Sequence, residues 1–209
     1  MKLISLDTHI QNKGAYIGQR QIFLDFALSN LPYDYPVNEK ILAQAKDWTP
    51  EEVFEKIEKL ARTRHQVICL GGGEPLLQVD YLKPLLEKEL PLPVCLETNA
   101  TLPKNLKEIK DKISIFSLSL SQDFIKEFVE CLVLVQEEDT FIRIVAHRDV
   151  TPKKIETYAK IIGEISKDIP MIIEPLKDCK EPLPLQAMAQ RHLNDVRVIP
   201  AVHWGGIHA

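Results

Sequence analysis

The 209-residue chain is 45% hydrophobic and 27% charged, a balance that suits a globular fold and excludes a low-complexity or fibrous one. Its net charge of −4 and pI near 5.9 argue against a nucleic-acid partner. No apolar run approaches the roughly 18 residues of a membrane span, so no membrane contact is expected. The opening Met1-Lys2-Leu3-Ile4-Ser5-Leu6-Asp7 turns polar too early for a signal peptide, and the expected compartment is the cytoplasm. The length suits one domain over 1–209.

In chain order, residues 3–10 read as a strand, 11–18 as a turn-rich loop, and 21–28 as a second strand with polar and apolar residues alternating. Residues 29–46 lose any period. Thr49-Pro50-Glu51-Glu52 is a helix start, with Thr49 as cap and Pro50 in the first turn, and the helix is predicted to reach about Arg64. Val67-Ile68-Cys69-Leu70 is a buried-strand pattern that breaks into Gly71-Gly72-Gly73, followed by a predicted helix over 80–89. Strands are then expected over 93–99, 113–120, 140–147, 171–176 and 196–202. Helices are expected over 123–138, 151–166 and 185–193, the second opening on another Thr-Pro start.

Strand and helix alternate about six times, which predicts right-handed βαβ units and a mostly parallel sheet. Polar residues gather at the carboxyl ends of the strands: Gly71 to Glu74, Glu97 to Asn99, Ser117 to Ser121, His147, Glu174 and His203. That edge is where α/β proteins hold ligands. Cys69, Cys95, Cys131 and Cys179 stand far apart in apolar surroundings. Ligand cysteines come in close pairs, so core packing is expected of these, and no metal.

Gly72-Gly73-Glu74-Pro75-Leu76-Leu77-Gln78 and Glu97-Thr98-Asn99-Ala100-Thr101 resemble two motifs of the radical S-adenosylmethionine (SAM) enzymes. Within these, the likeness is to the 7-carboxy-7-deazaguanine synthases of queuosine biosynthesis, which have Gly in place of Ala100. The loop Ile10-Gln11-Asn12-Lys13-Gly14-Ala15-Tyr16-Ile17-Gly18 and the segment Arg197-Val198-Ile199-Pro200-Ala201-Val202-His203 are similar to that family's two ends. The resemblance implies a partial (β/α)6-type, TIM-like barrel. It implies a SAM site at Gly72, Gly73, Glu74, Thr98, Asn99 and Ser117, and a substrate side at Gln11, Gly14 and His203.

The family's cluster motif is Cys-Asn-Leu-x-Cys-x-x-Cys. This chain has Ser29-Asn30-Leu31-Pro32-Tyr33-Asp34-Tyr35-Pro36 in its place. Ser29, Tyr33 and Pro36 stand where three thiolates would hold a 4Fe–4S cluster. Proline has no ligand atom, and hydroxyl oxygens are not the soft donors that build such clusters. The cluster is therefore expected to be absent. The Asp-Thr that helps bind magnesium is replaced by Val37-Asn38, which makes magnesium unexpected too. Lys13 stands where the family has a substrate-side glutamate.

Three readings follow. The first is a cluster-less relative without radical activity that binds SAM or a purine- or pterin-like molecule at the barrel mouth. The second is an enzyme, either an active deazapurine-pathway member or a non-radical one using His147, His203, Glu74, Glu97 and Glu174. The third is a structural or homodimer-forming protein with an empty mouth, docked through the apolar tail 204–209.

Overall fold

The computed structural model describes residues 1–32 and 42–202. An antiparallel pair opens the fold: β1 (Lys2–Ile10) with β2 (Arg20–Phe26), and β3 (Lys46–Asp47) on the far side of β1. From β2 outward every neighbour is parallel. β4 (Ile68–Gly72), β5 (Val94–Thr98), β6 (Ile115–Ser119), β7 (Asp139–Ala146), β8 (Met171–Pro175) and β9 (Val196–Val198) follow in chain order. The sheet order is β3-β1-β2-β4-β5-β6-β7-β8-β9, a mostly parallel α/β sheet of the partial-barrel kind. The helices are α1 (Pro50–Leu60), α2 (Val79–Leu86), α3 (Pro103–Ile109), α4 (Ile125–Val135), α5 (Pro152–Gly163) and α6 (Pro182–Ala189). Among the described residues no helix is long and apolar enough to cross a membrane.

Both Thr-Pro starts are helix caps. The Thr49 side chain accepts from Glu52 N while the Glu52 carboxylate accepts from Thr49 N, a reciprocal pair worth about 1 kcal/mol per cap. Thr151 accepts from Lys154 N at the head of α5. Several elements differ from the sequence reading, among them β3, which falls where no strand was expected, and α1, which ends at Leu60 and not near Arg64. A 3-10 turn, Pro75–Gln78, precedes α2. Helix α3 was not anticipated, although Pro103 in the first turn and the spacing of buried Leu106 and Ile109 mark it. Helix α6 starts earlier, because Pro182 and Pro184 are tolerated in a first turn that lacks hydrogen-bonded N–H groups. Strand β9 stops at Val198; Ile199 N still donates to Ile173 O, but Pro200 has no N–H to continue the ladder.

The strands sort their side chains between two faces. Ile22, Leu24, Ile68, Leu70, Leu96, Phe116, Leu118, Ile142 and Ile173 pack against the helices in the main core. Each such burial is worth about 1.5–3 kcal/mol, which is what holds the helix layer on the sheet. The other face carries a small apolar cluster at the strands' amino ends: Val67, Cys69 and Cys95, with Phe23 and Ile115 against them. Nearer the carboxyl ends that same face turns polar, with Glu97, Ser117, Arg143 and Glu174 all buried. The site is built there.

Candidate functional site

The glycine turn is dictated by a close backbone approach. Gly72 sits at φ +86°, and a Cβ there would lie 2.0 Å from Asp25 Oδ1. A Cβ on Gly73 would lie 2.1 Å from Leu28 O. Only glycine fits where the segment after β2 crosses the end of β4. Two backbone N–H groups of this edge are taken up by the segment at the end of β2: Gly73 N donates to Phe26 O at 2.8 Å and Glu74 N to Leu28 O at 2.6 Å.

Glu74 is fully buried and its carboxylate turns into the fold. It accepts from Leu76 N at 3.0 Å, from Thr98 Oγ1 at 2.9 Å and from Asn99 N at 2.8 Å. Thr98 is spent on this contact. Gln78 Oε1 accepts from Lys2 N at 2.6 Å. The polar residues of the glycine motif therefore clamp β4 to β5 and β1, and any ligand contact of Glu74 falls to its backbone.

Asn30 ties the segment after β2 to the end of β5. It accepts from Asn99 Nδ2 at 2.9 Å and donates to Thr101 Oγ1 at 2.8 Å, while Thr101 Oγ1 donates to Asn99 Oδ1 at 2.7 Å. Leu31 is buried. Ser29 Oγ accepts from Leu31 N at 3.1 Å and donates to Leu31 O at 3.2 Å, a closed local turn. Tyr33, Pro36 and His203 lie outside the described residues. Ala100 takes φ +56°, the left-handed region, where glycine would be unstrained.

The polar inner face is a chain of alternating charges. Lys13 Nζ lies 3.0 Å from Glu97 Oε2, and Gln11 Nε2 donates to Glu97 Oε1 at 2.8 Å. The Lys13 contact to Oε2 is a close ion pair. Burial pushes the Glu97 carboxyl up, but the Lys13 ammonium and Arg143 guanidinium outweigh it and hold the group below its ordinary value. Arg143 and Glu174 form a buried two-bond fork, Nε to Oε1 and Nη2 to Oε2, each 2.8 Å. Gly14 N donates to the same Oε1 at 2.8 Å. Gly14 must be glycine, because at φ +72° its Cβ would meet the Phe141 ring at 2.9 Å. Ser117 Oγ, wholly buried and paired in register with Glu97, has no hydrogen-bond partner among the described residues.

This face borders a cavity of about 690 Å3 at the carboxyl ends of β4 to β7. Gly72, Gly73, Thr98 and Asn99 line one wall; Ser119, Ser121 and Asp123 follow β6. Opposite are His147, Asp149, Lys154 and Tyr158, with Val145 and Leu176 as apolar surface. Lys13, Glu97 and Arg143 are on its lining, whereas Gln11, Gly14, Ser117 and Glu174 are not. His147 is half exposed on the rim, its Nδ1 3.6 Å from Asp149 Oδ2. Sequence reasoning missed Arg143, Lys154 and Tyr158. A lone arginine inside the apolar run Phe141-Ile142-Arg143-Ile144-Val145 was the available signal for the first. Cys69, Cys95 and Cys131 are buried, and burial pushes the Cys69 and Cys131 thiols up, the latter to about 12, so they stay protonated.

A model of the radical SAM superfamily matches residues 39–130, a stretch that begins past Pro36. The chain is 27% identical to the 7-carboxy-7-deazaguanine synthase of Geobacter sulfurreducens, over 93% of this chain and 92% of that one. It is 37% identical to the enzyme of the same name from Methanothermobacter thermautotrophicus, over 51% of this chain and 44% of that one. The fold is similar to the crystal structure of QueE from Escherichia coli: TM-score 0.59, 17% identity, 93% of this chain and 92% of that one.

Proposed function

We infer that this chain, a radical SAM superfamily relative similar to the 7-carboxy-7-deazaguanine synthases, binds a small molecule at the sheet's carboxyl edge without cluster-dependent radical chemistry. The ligand class is SAM or a purine- or pterin-like heterocycle. The observation that carries the reading is that the mouth and the cluster segment have parted company. The cavity, at about 690 Å3, has the size of a small-molecule site and keeps the glycine turn and Asn99 in its wall. Ser29, at the first cluster position, spends its hydroxyl on the backbone of Leu31.

The donor set does not fit an iron–sulfur cluster. Ser29 and Tyr33 offer hydroxyl oxygens and Pro36 offers nothing, whereas such clusters are held by thiolates. The sulfurs of Cys69 and Cys95 pack in the apolar cluster at the opposite end of their strands. No step is therefore routed through iron. Asn30 and Leu31 persist beside these positions because they serve the fold: one ties the segment to β5 and the other is buried.

A non-radical acid–base enzyme gains little support from the carboxylates. Glu74 is spent on three donors, Glu174 on the Arg143 fork and Gly14, and Glu97 is held ionised by Lys13 and Arg143. A carboxylate held ionised or tied into the fold in this way is not placed to hand a proton to a ligand.

The test is calorimetric titration with SAM, S-adenosylhomocysteine, guanosine and a pterin. Saturable binding of one of them, weakened by Asn99→Ala, is expected. No binding by any would favour the empty-mouth reading.

A further inference from the structure

We propose that Lys13 is a tethered occupant of a cation-accepting pocket on the cavity wall, built on the buried Glu97 carboxylate, and that it bars ligands bearing an ammonium or amidinium group from that carboxylate. Glu97 is 6% exposed, and a carboxylate so buried must be paired or it costs several kcal/mol. Its counter-ion comes from a loop and not from a neighbouring strand. Lys13 reaches Oε2 from the segment between β1 and β2, its side chain 28% exposed, on the cavity wall.

The loop is fastened around that side chain. Gly18 N donates to Gln11 O, Val202 N to Asn12 O, Gly14 N to Glu174 and Tyr16 Oη to Asp139 Oδ2. The ammonium is thus delivered to a fixed place. The place itself is more than an ion pair. Glu97 Oε2 and Ser117 Oγ are the buried side-chain atoms without a hydrogen-bond partner among the described residues, and they belong to register-paired residues on adjacent strands. A buried carboxylate oxygen and a buried hydroxyl on the register-paired residue of the next strand are both groups that an N–H donor satisfies. Lys13 neutralises the Glu97 carboxylate at 3.0 Å and leaves Ser117 Oγ without a hydrogen-bond partner among the described residues. The other cation of this wall, Arg143, is committed to Glu174.

The chemical class that fits the vacated pocket is a primary ammonium or an amidinium. With Lys13 in place, this wall presents paired charges, and a bound ligand turns a neutral or anionic end towards it. This inference concerns the same cavity as the proposed function but stands on the ion pair alone. Ligand binding and cation rescue can each fail without the other.

The experiment is chemical rescue with ethylammonium chloride, compared with sodium chloride at equal ionic strength and followed by thermal melting. Lys13→Ala is expected to melt roughly 5 °C below the parent chain. Ethylammonium should recover most of that loss saturably, and sodium should not. The parent chain and Lys13→Ala/Glu97→Gln should respond alike to both salts. A Lys13→Ala protein as stable as the parent, or one that ethylammonium helps no more than sodium, overturns the proposal. Should Lys13→Ala fail to fold, lysine acylation of the parent chain decides. Lys13 should react several-fold slower than Lys154 on the same cavity, and at a similar rate in Glu97→Gln. Equal rates in the parent chain overturn it.

Discussion

Gly72 and Gly73 are fixed by contact as well as by conformation, which makes their replacement costlier than that of an ordinary turn glycine. A Cβ at either would meet the β2 strand or its following segment at 2.0–2.1 Å. Gly72→Ala is predicted to cost about 2–4 kcal/mol from overpacking and left-handed strain together. Gly18, at φ +88° with nothing within 4 Å of its Cβ position, should cost only about 1 kcal/mol as Gly18→Ala. Urea denaturation of the two variants measures the gap, and equal losses would show that contact is not what fixes Gly72. Glu97 supplies a pH signature. Its carboxyl is held below the ordinary 4.5 in the folded chain. The unfolded state therefore takes up the proton first, and the stability Glu97 contributes is present above that ordinary value and lost as pH falls through the lower folded value. Glu97→Gln should flatten the acid limb of stability against pH, and an unchanged limb would contradict the pairing.

At the scale of elements, the loop between β1 and β2 and the β7–β8 fork act together. Arg143→Met strands a buried carboxylate and is predicted to cost about 3–5 kcal/mol, whereas Arg143→Met with Glu174→Leu should cost clearly less than the sum of the two single changes. A double-mutant cycle by urea denaturation measures this coupling, and simple additivity would refute it. Period and punctuation made most elements legible. Thr49-Pro50 and Thr151-Pro152 marked two helices correctly because capping is local chemistry, readable from four residues. Helix α3 was missed because it has only two buried anchors, Leu106 and Ile109, over seven residues. The wiring of the inner face was not legible, because Lys13 meets Glu97, and Gly14 meets Glu174, across more than eighty residues of sequence. Glu74 shows the opposite limit. Its place in a motif was plain, yet its carboxylate holds β5 rather than facing the cavity, a contact decided by which way one side chain turns. Glu74→Gln should cost about 2 kcal/mol of stability, because the amide cannot accept at both ends from Leu76 N, Thr98 Oγ1 and Asn99 N.

For the whole molecule, motif and alternation together pointed to a mostly parallel α/β sheet with its polar groups at one edge, and the sheet order bears that out. The cavity's position followed from that edge, but its charge balance did not. The proposed function holds that the fold outlives the cluster chemistry, with Ser29, Tyr33 and Pro36 standing where the resemblance places thiolates, so that binding would depend on the mouth alone. The most direct measurement is the iron content of the purified chain after anaerobic reconstitution with iron and sulfide and removal of unbound metal. The account predicts no stoichiometric iron and no visible cluster absorption. About four irons per chain, the content of one 4Fe–4S cluster, would contradict it.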